Sequence, residues 1–201
     1  MPNAPGPPGP SPEASPQRAH RAAFLDRDGT IVDDPGFLHE PGKVRLLPGA
    51  ADAIRRLNQA GWVVVTVTNQ SGIARGRYDT AAYAAVQRRL AELLAAHDAR
   101  IDAAYFCPHH PDVSGPCECR KPGVKLFREA QAAFRIDLGK SYWVGDRLSD
   151  VEPARALGAG AGHALLVETG HGAAHQRQAQ ALGVAVVPDL GAAARLIVRA
   201  G

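Results

Sequence analysis

Short apolar runs that suit buried β-strands alternate along this chain with stretches that suit helices. The clearest pair is the β-branched run WVVVTV at 62–67 and the amphipathic stretch 80–96. Strands are predicted at 22–25, 62–67, 101–106, 142–144, 164–167 and 184–187, and helices at 48–57, 80–96, 124–134, 151–157 and after 189. Strands that alternate with helices form βαβ units, so the predicted fold class is α/β, a doubly wound parallel sheet with helices on both faces.

The 201 residues divide into a tail and one domain. Residues 1–21 are rich in Pro, Ser, Gly and Ala and offer almost nothing to bury, which predicts a disordered tail. Residues 22–201 are long enough for one sizeable core. The stretches between motifs are too short for a separate large cap domain, so an open cleft is expected.

Composition excludes several classes of protein. The formal net charge is only +3, and no run reaches the roughly 18 apolar residues that a membrane span needs. The N-terminus lacks the apolar segment of a secretory signal, and three closely spaced cysteines do not suit a disulfide framework. We therefore expect a cytoplasmic protein, a monomer, with no nucleic-acid or membrane partner.

The segment FLDRDGT places two aspartates directly after a predicted buried strand. Asp26 and Asp28 are two residues apart, so in an extended segment they point the same way, and Gly29 permits a sharp turn. Such a pair can hold a divalent cation, while one carboxylate attacks and the other transfers protons. The alternative is an ordinary acidic turn.

Polar residues also follow two other predicted strands. Thr68 and Asn69 end the second strand and Asp146 follows a later one, so all should meet Asp26 at the carboxyl edge of the sheet. Simpler interpretations remain open at this point. Thr68 and Asn69 suit helix capping, Asp146 suits a turn, and Asp150 suits the N-cap of a helix that starts near 151. Lys121, in CRKP, suits an exposed surface position.

Taken together, DxDGT, TNQSGIARG, CRKP and GDRLSD resemble the four motifs of the haloacid-dehalogenase superfamily of phosphatases. The resemblance covers about residues 23–167 and implies a Rossmann-like fold. Within that superfamily, the sequence is most similar to the group of heptose 1,7-bisphosphate 7-phosphatases and histidinol-phosphatases. It implies a Mg²⁺-dependent phosphoric monoester hydrolase of small phosphorylated substrates, with a heptose bisphosphate favoured.

The resemblance also implies a role for each motif residue. Asp26 would be the nucleophile that forms an aspartyl phosphate, and Asp28 the general acid and base. Mg²⁺ would be held by Asp26, Asp28 and Asp146, the second through its backbone carbonyl. The expected phosphate-binding and substrate-binding residues are Thr68, Asn69, Arg120 and Lys121.

All three cysteines lie in one loop, FCPHHPDVSGPCECRKP. Cys107, His109, Cys117 and Cys119 can complete a tetrahedral Zn²⁺ shell, and closed four-ligand sites are usually structural. Disulfide pairing would leave one thiol over and would strain the CxC pair. We therefore predict a zinc loop at 107–119 that fixes Arg120 and Lys121, with His110 outside it.

The substrate is less tightly specified. A bisphosphate needs a second anion site, for which Arg75, Arg120 and Arg147 are candidates. Histidinol phosphate carries an amine and an imidazole, which carboxylates in the loop 33–40 would suit. Two other hypotheses are weaker: a zinc-loop protein without catalysis is disfavoured by Asp28, and a polynucleotide 3′-phosphatase is disfavoured by the low net charge.

Overall fold

The computed structural model describes residues 19–200, in which six strands form one parallel sheet. The strands are β1 (Ala22–Leu25), β2 (Val63–Asn69), β3 (Ala103–Cys107), β4 (Tyr142–Gly145), β5 (Ala164–Val167) and β6 (Ala185–Val187). Their order is β3-β2-β1-β4-β5-β6. The chain runs outward from β1 to β3 and then returns to place β4 beside β1. The topological switch point, where ligands bind in such sheets, therefore lies between β1 and β4.

Eight helices accompany the sheet within the described part of the chain. They are α1 (Ala50–Gln59), α2 (Thr80–Ala95), α3 (Pro111–Ser114), α4 (Lys125–Phe134), α5 (Leu148–Val151), α6 (Pro153–Ala156), α7 (Gly172–Ala181) and α8 (Leu190–Ala200). Short 3₁₀ turns cover Pro41–Lys43, Leu138–Lys140 and Ala161–His163. Every helix between residues 19 and 200 is too short or too polar to traverse a bilayer.

Two cores cover the two faces of the sheet, because successive strand residues point to opposite faces. Leu25 packs with Ile54 of α1 and Ile197 of α8 on one face. Phe24 packs on the other face, stacked on Trp143 with 5.1 Å between ring centroids and edge-on to Phe127 of α4 at 5.2 Å. The doubly wound arrangement predicted from the sequence is thus confirmed.

The helices of the structure differ from the predicted ones where single residues determine how a helix begins or ends. The predicted helix 151–157 is two short helices, α5 and α6, divided at Pro153, which has no amide hydrogen to continue the first one. Two further helices were not predicted. Helix α7 is mostly polar and buries only Gly172 and Ala179, so its apolar periodicity is weak, and α3 is a single turn inside the cysteine loop.

The start of the ordered chain also differs. Residues 1–18 of the predicted tail lie outside the described residues, but His20 accepts a hydrogen bond from the Asp137 amide at 2.8 Å. The guanidinium of Arg21 lies 4.5 Å from the ring centroid of Trp62. The described fold therefore includes two residues that the sequence prediction assigned to the tail.

No second sheet accompanies the strands in residues 19–200, and their carboxyl edge opens on a cleft of about 460 Å³. This agrees with the expected absence of a large cap domain.

Candidate active site

The cleft at the carboxyl edge collects residues from several separate segments of the chain. Of the predicted residues, Asp26, Asp28, Thr68, Asn69, Arg120 and Lys121 line it. The register explains this convergence: Leu25 pairs with Thr66 of β2 and with Val144 of β4, so the residues just beyond these positions end side by side. The Asp26 amide donates to the Val144 carbonyl at 2.9 Å, which extends the β1–β4 pairing as far as the first aspartate.

Lys121 is the buried cation at the floor of the cleft. Its side chain is 2% exposed, and Nζ lies 2.6 Å from Asp26 Oδ1 and 2.8 Å from Asp150 Oδ1. It also donates to the Val67 carbonyl at 2.5 Å. Burial by itself lowers the pKa of a lysine, but these two carboxylates outweigh it and raise the pKa of Lys121 to about 12. The interpretation of Lys121 as an exposed surface residue is wrong.

Three carboxylates crowd around this one ammonium. Oxygens of Asp26, Asp146 and Asp150 all lie within 4.8 Å of one another. Burial raises the pKa of Asp26 to about 8, opposed by Lys121 and reinforced by the neighbouring carboxylates. Burial likewise raises the pKa of Asp146 to about 6. Because one lysine cannot neutralise three buried carboxylates, the cluster favours an added cation.

Asp146 shows where such a cation fits. Its Oδ2 accepts the His171 amide at 2.8 Å, but its buried Oδ1 has no hydrogen-bond partner among the described residues. Gly29 and Gly170, both with positive φ, line the other side of this carboxylate, and a Cβ on either would collide with it. An unpartnered buried carboxylate oxygen suits a hard divalent ion. Asp146 is 1% exposed and so is not an ordinary turn residue.

Asp150 lies in the first turn of α5 and is not an N-cap residue. Its Oδ2 accepts the Arg147 amide at 2.8 Å while its Oδ1 pairs with Lys121. Gly145 makes room for it, since a Cβ there would collide with the Asp150 side chain. The N-cap interpretation is wrong because α5 begins at Leu148, three residues earlier than predicted. Asp150 belongs to the site as the second anchor of Lys121.

The end of β2 supplies a hydroxyl and an amide. Thr68 Oγ1 accepts a hydrogen bond from Gln70 Nε2 at 2.9 Å. The Asn69 side chain pairs with the backbone of Lys121 in both directions, donating to its carbonyl at 3.2 Å and accepting from its amide at 3.0 Å. Asn69 therefore fixes the segment that carries the lysine, and its side chain is not a helix cap.

Several cleft residues were not identified from the sequence. They include Phe37, Gln70, Tyr78 and His171. Gln70 lies within the TNQSG motif, next to Thr68 and Asn69, so the motif could have identified it as a cleft residue. Tyr78 donates to Gln70 Oε1 at 2.6 Å, across a loop whose path the sequence pattern does not specify. Of the arginines considered for a second anion, Arg120 and Arg147 line the cleft. Arg75 instead lies 2.8 Å from the His110 ring.

The four predicted zinc ligands form a second cluster beside the cleft. The sulfurs of Cys107, Cys117 and Cys119 and a ring nitrogen of His109 lie within 4.8 Å of one another. Cys107 ends β3, and burial raises the pKa of its thiol. All three thiols are free, and three sulfurs with one imidazole match the donor set of structural zinc sites. Arg120 donates to the His109 carbonyl at 3.2 Å, which connects this loop to the cleft.

Comparisons with known proteins agree with this geometry. Residues 118–193 match the family model for HAD-hydrolase-like proteins. The D-glycero-beta-D-manno-heptose-1,7-bisphosphate 7-phosphatase of Escherichia coli O6:H1 is 43% identical over 154 residues, which cover 74% of this chain and 80% of the relative. The enzyme of the same name from Pseudomonas aeruginosa is 38% identical over 177 residues, covering 88% and 97%.

A solved structure gives the same result. It is the D,D-heptose 1,7-bisphosphate phosphatase from B. bronchiseptica complexed with magnesium and phosphate. This chain is 37% identical to it with a TM-score of 0.79, over 90% of this chain and 99% of that one.

Fold, site and similarity define a phosphatase of the HAD-like hydrolase class. Within that class, the chain belongs to the family of the D-glycero-β-D-manno-heptose-1,7-bisphosphate 7-phosphatases. The superfamily resemblance inferred from the four motifs is confirmed.

The raised carboxylate pKa values predict a pH-dependent response to magnesium. The folded protein holds the Asp26 and Asp146 protons more tightly than the unfolded chain, so metal-free protein loses stability as pH rises toward about 8. Magnesium replaces those protons and binds more tightly at high pH. Scanning calorimetry should therefore show Mg²⁺ raising Tm by a few degrees at pH 8 and by less at pH 6.

The controls are two aspartate variants. Asp146→Asn should abolish the magnesium shift, whereas Asp52→Asn, at an exposed position in α1, should keep it. A shift at pH 6 as large as that at pH 8 would contradict the assignment of the cluster as a metal site.

Proposed function

We propose that this enzyme removes the 7-phosphate of D-glycero-β-D-manno-heptose 1,7-bisphosphate through a phosphoenzyme on Asp26. The observation that carries the proposal is the ion pair between buried Lys121 and Asp26 at the switch point, in a chain 38–43% identical to enzymes named for this reaction. Lys121 keeps the nucleophile in place and offsets the repulsion between a carboxylate and a dianionic phosphate.

The chemistry proceeds in two displacements at one phosphorus. Asp26 attacks in line, an Asp26 O–P bond forms, and the P–O bond to the sugar breaks as Asp28 protonates the departing oxygen. Asp28 then takes a proton from water, the water oxygen bonds to phosphorus, and the acyl phosphate releases Asp26 and inorganic phosphate. One carboxyl group thus serves as acid and then as base.

The phosphoryl oxygens are bound by donors that the structure gathers at the ends of β2 and the cysteine loop. In the proposal, the Thr68 hydroxyl, the Asn69 backbone N–H and the Lys121 ammonium donate to them. Asp26, the Asp28 carbonyl and Asp146 would hold Mg²⁺, which neutralises negative charge on the transferring group when bound. The unpartnered Asp146 Oδ1 supports that assignment.

Selection of a bisphosphate is assigned to the outer half of the cleft. Arg120 and Arg147 both line it and present guanidinium groups that suit a second phosphate. Histidinol phosphate would instead need a carboxylate for its amine. Asp34 is the carboxylate of the loop 33–40 that lines the cleft, and its Oδ2 already lies 3.5 Å from His171 Nε2. This contact favours the heptose bisphosphate over the histidinol phosphate.

We further propose that the cysteine cluster binds structural Zn²⁺ and that the enzyme works as a cytoplasmic monomer on free small molecules. Thiolate ligands persist in a reducing compartment, which supports the location. The net charge of +3 offers little attraction for a nucleic-acid backbone.

A substrate panel tests the proposed specificity. Steady-state kinetics should give the highest kcat/KM for the heptose 1,7-bisphosphate, lower values for histidinol phosphate and almost none for a 3′-phosphorylated oligonucleotide. Arg120→Ala should lower kcat/KM for the bisphosphate by about tenfold or more and change that for a monophosphate less. Preference for histidinol phosphate would contradict the proposal.

Replacing the nucleophile tests the covalent mechanism. Asp26→Asn keeps the shape of the side chain but removes its nucleophilicity, so phosphate release should fall by at least about a thousandfold with the circular dichroism spectrum unchanged. The control is Asp33→Asn, at an exposed position of the following loop. Phosphate release from Asp26→Asn at near the wild-type rate would refute the phosphoenzyme.

Loss of one thiolate tests the proposed zinc loop. Cys119→Ser should weaken zinc binding and lower turnover, because Arg120 and Lys121 follow directly and lose their fixed positions. The sheet has its own core, so the variant should remain folded. Elemental analysis should find about one zinc per wild-type chain. Full activity in a zinc-depleted variant would show that the loop only adds stability.

A further inference from the structure

Arg27, the residue between the two motif aspartates, is completely buried and forms an ion pair with the second aspartate, Asp28. Its Nε donates to Asp28 Oδ1 at 3.0 Å and its Nη2 to Asp28 Oδ2 at 2.9 Å, a two-pronged ion pair. Its side chain is 0% exposed, compared with 19% for Asp28. A buried arginine in this fork geometry fixes both the position and the plane of a carboxylate.

Arg27 is itself held from several directions. Its Nη1 donates to Gln87 Oε1 of α2 at 3.2 Å and its Nη2 to Gln70 Oε1 at 3.2 Å. The Tyr83 ring lies beneath the guanidinium, 5.5 Å from Cζ to the ring centroid. These contacts leave the guanidinium little freedom to follow a moving Asp28, so it acts as a fixed support.

Gln70 completes the arrangement around Asp28. Its Nε2 donates to Asp28 Oδ2 at 2.8 Å and to Thr68 Oγ1 at 2.9 Å. A carboxylate has about four lone-pair sites, two on each oxygen. Arg27 and Gln70 together occupy both sites of Oδ2 and one site of Oδ1. Oδ1 therefore keeps the remaining site for a proton.

We propose that Arg27 is a positioning residue that fixes the Asp28 carboxyl group in place, with the remaining lone-pair site of Oδ1 left to accept the proton of the water that hydrolyses the phosphoenzyme. This role rests on the proposed function, in which Asp28 is the base of the second displacement. The water gives its proton to Asp28 Oδ1, its oxygen bonds to phosphorus, and the Asp26 O–P bond breaks with its electron pair returning to Asp26.

Asp28 acts as an acid when the phosphoenzyme forms and as a base when it is hydrolysed. With a suitable substrate, these two steps respond differently to the loss of Arg27. A leaving group that departs as a stable anion, as in 4-nitrophenyl phosphate, needs no proton from Asp28. Formation of the phosphoenzyme from this substrate should continue in a variant that lacks Arg27, while hydrolysis of the phosphoenzyme slows. A general base typically contributes about 10²–10⁴-fold, so a misplaced one should cost at least about tenfold.

The experiment is rapid mixing of the full-length, magnesium-loaded enzyme with 4-nitrophenyl phosphate, combined with acid quench to trap phosphoenzyme. Arg27→Met should show a burst of nitrophenol, accumulated phosphoenzyme and a steady-state rate lowered about tenfold or more. Arg27→Lys, which keeps the charge but loses the fork, should fall between this variant and the wild type. Arg89→Met is the matched control, since it makes the same substitution at an exposed arginine of α2 that pairs with Glu92, and it should resemble the wild type.

A double-mutant cycle distinguishes positioning from general loss of structure. Asp28→Asn should accumulate phosphoenzyme from the same substrate, and adding Arg27→Met should slow hydrolysis little further, because Arg27 acts through Asp28. If the two substitutions lower the rate of phosphoenzyme hydrolysis independently, so that their factors multiply, the positioning role is overturned. It is also overturned if Arg27→Met shows no burst of nitrophenol because formation of the phosphoenzyme is slow. If Arg27→Met fails to fold, Arg27→Lys carries the same test.

Failure of this proposal is distinguishable from failure of the proposed function. Phosphoenzyme trapped in Asp28→Asn but not in folded Arg27 variants overturns only the role of Arg27. Phosphoenzyme absent from every variant, including Asp28→Asn, overturns the covalent mechanism and this role with it.

Discussion

The site depends on one buried ammonium. Three carboxylates lie at the carboxyl edge of the sheet, and burial of charge without compensation is costly. Lys121 lies between two of them, 2.6 Å from Asp26 and 2.8 Å from Asp150. Its positive charge therefore offsets part of their buried negative charge. The raised pKa of Asp26 shows that this compensation is incomplete. The remaining imbalance makes the cluster receptive to a divalent cation and to the chemistry of an anionic substrate.

Two segments hold Lys121 at that position, although the lysine itself lies on a loop. Asn69, at the end of β2, pairs with both backbone groups of the lysine. The cysteine loop approaches from β3, and Cys119 lies two residues before the lysine. The turn that follows is tight, since a Cβ on Gly123 would collide with the carbonyls of Glu118 and Arg120. A lysine on a loop thus acquires the fixed geometry usual for a strand or a helix.

The sequence predicts the parts of this molecule that depend on local pattern. Buried parallel strands are nearly continuous apolar runs, so β2 and β5 were located closely, and the residues after them converge because parallel strands share an edge. Long-range pairing is not visible in such patterns. That Asp150 anchors Lys121 depends on the early start of α5, and that Asn69 holds the lysine backbone depends on how the loop 108–120 folds back. The burial of Arg27 was equally invisible, because arginine is ordinarily exposed.

The charges of the cleft divide by depth, and under the proposed function this division separates catalysis from recognition. The inner cations, Arg27 and Lys121, are buried and already paired with aspartates, so their charge serves to place and stabilise reacting groups. The outer cations, Arg120 and Arg147, line the same cleft nearer solvent, and Arg147 is exposed. The inner cations act on the aspartates and on the phosphoryl group that is transferred, whereas the guanidinium groups nearer solvent have N–H donors left for a second phosphate. Under the proposed function, changes in the outer pair would therefore alter which phosphate ester binds, while the inner pair would keep the reaction itself unchanged.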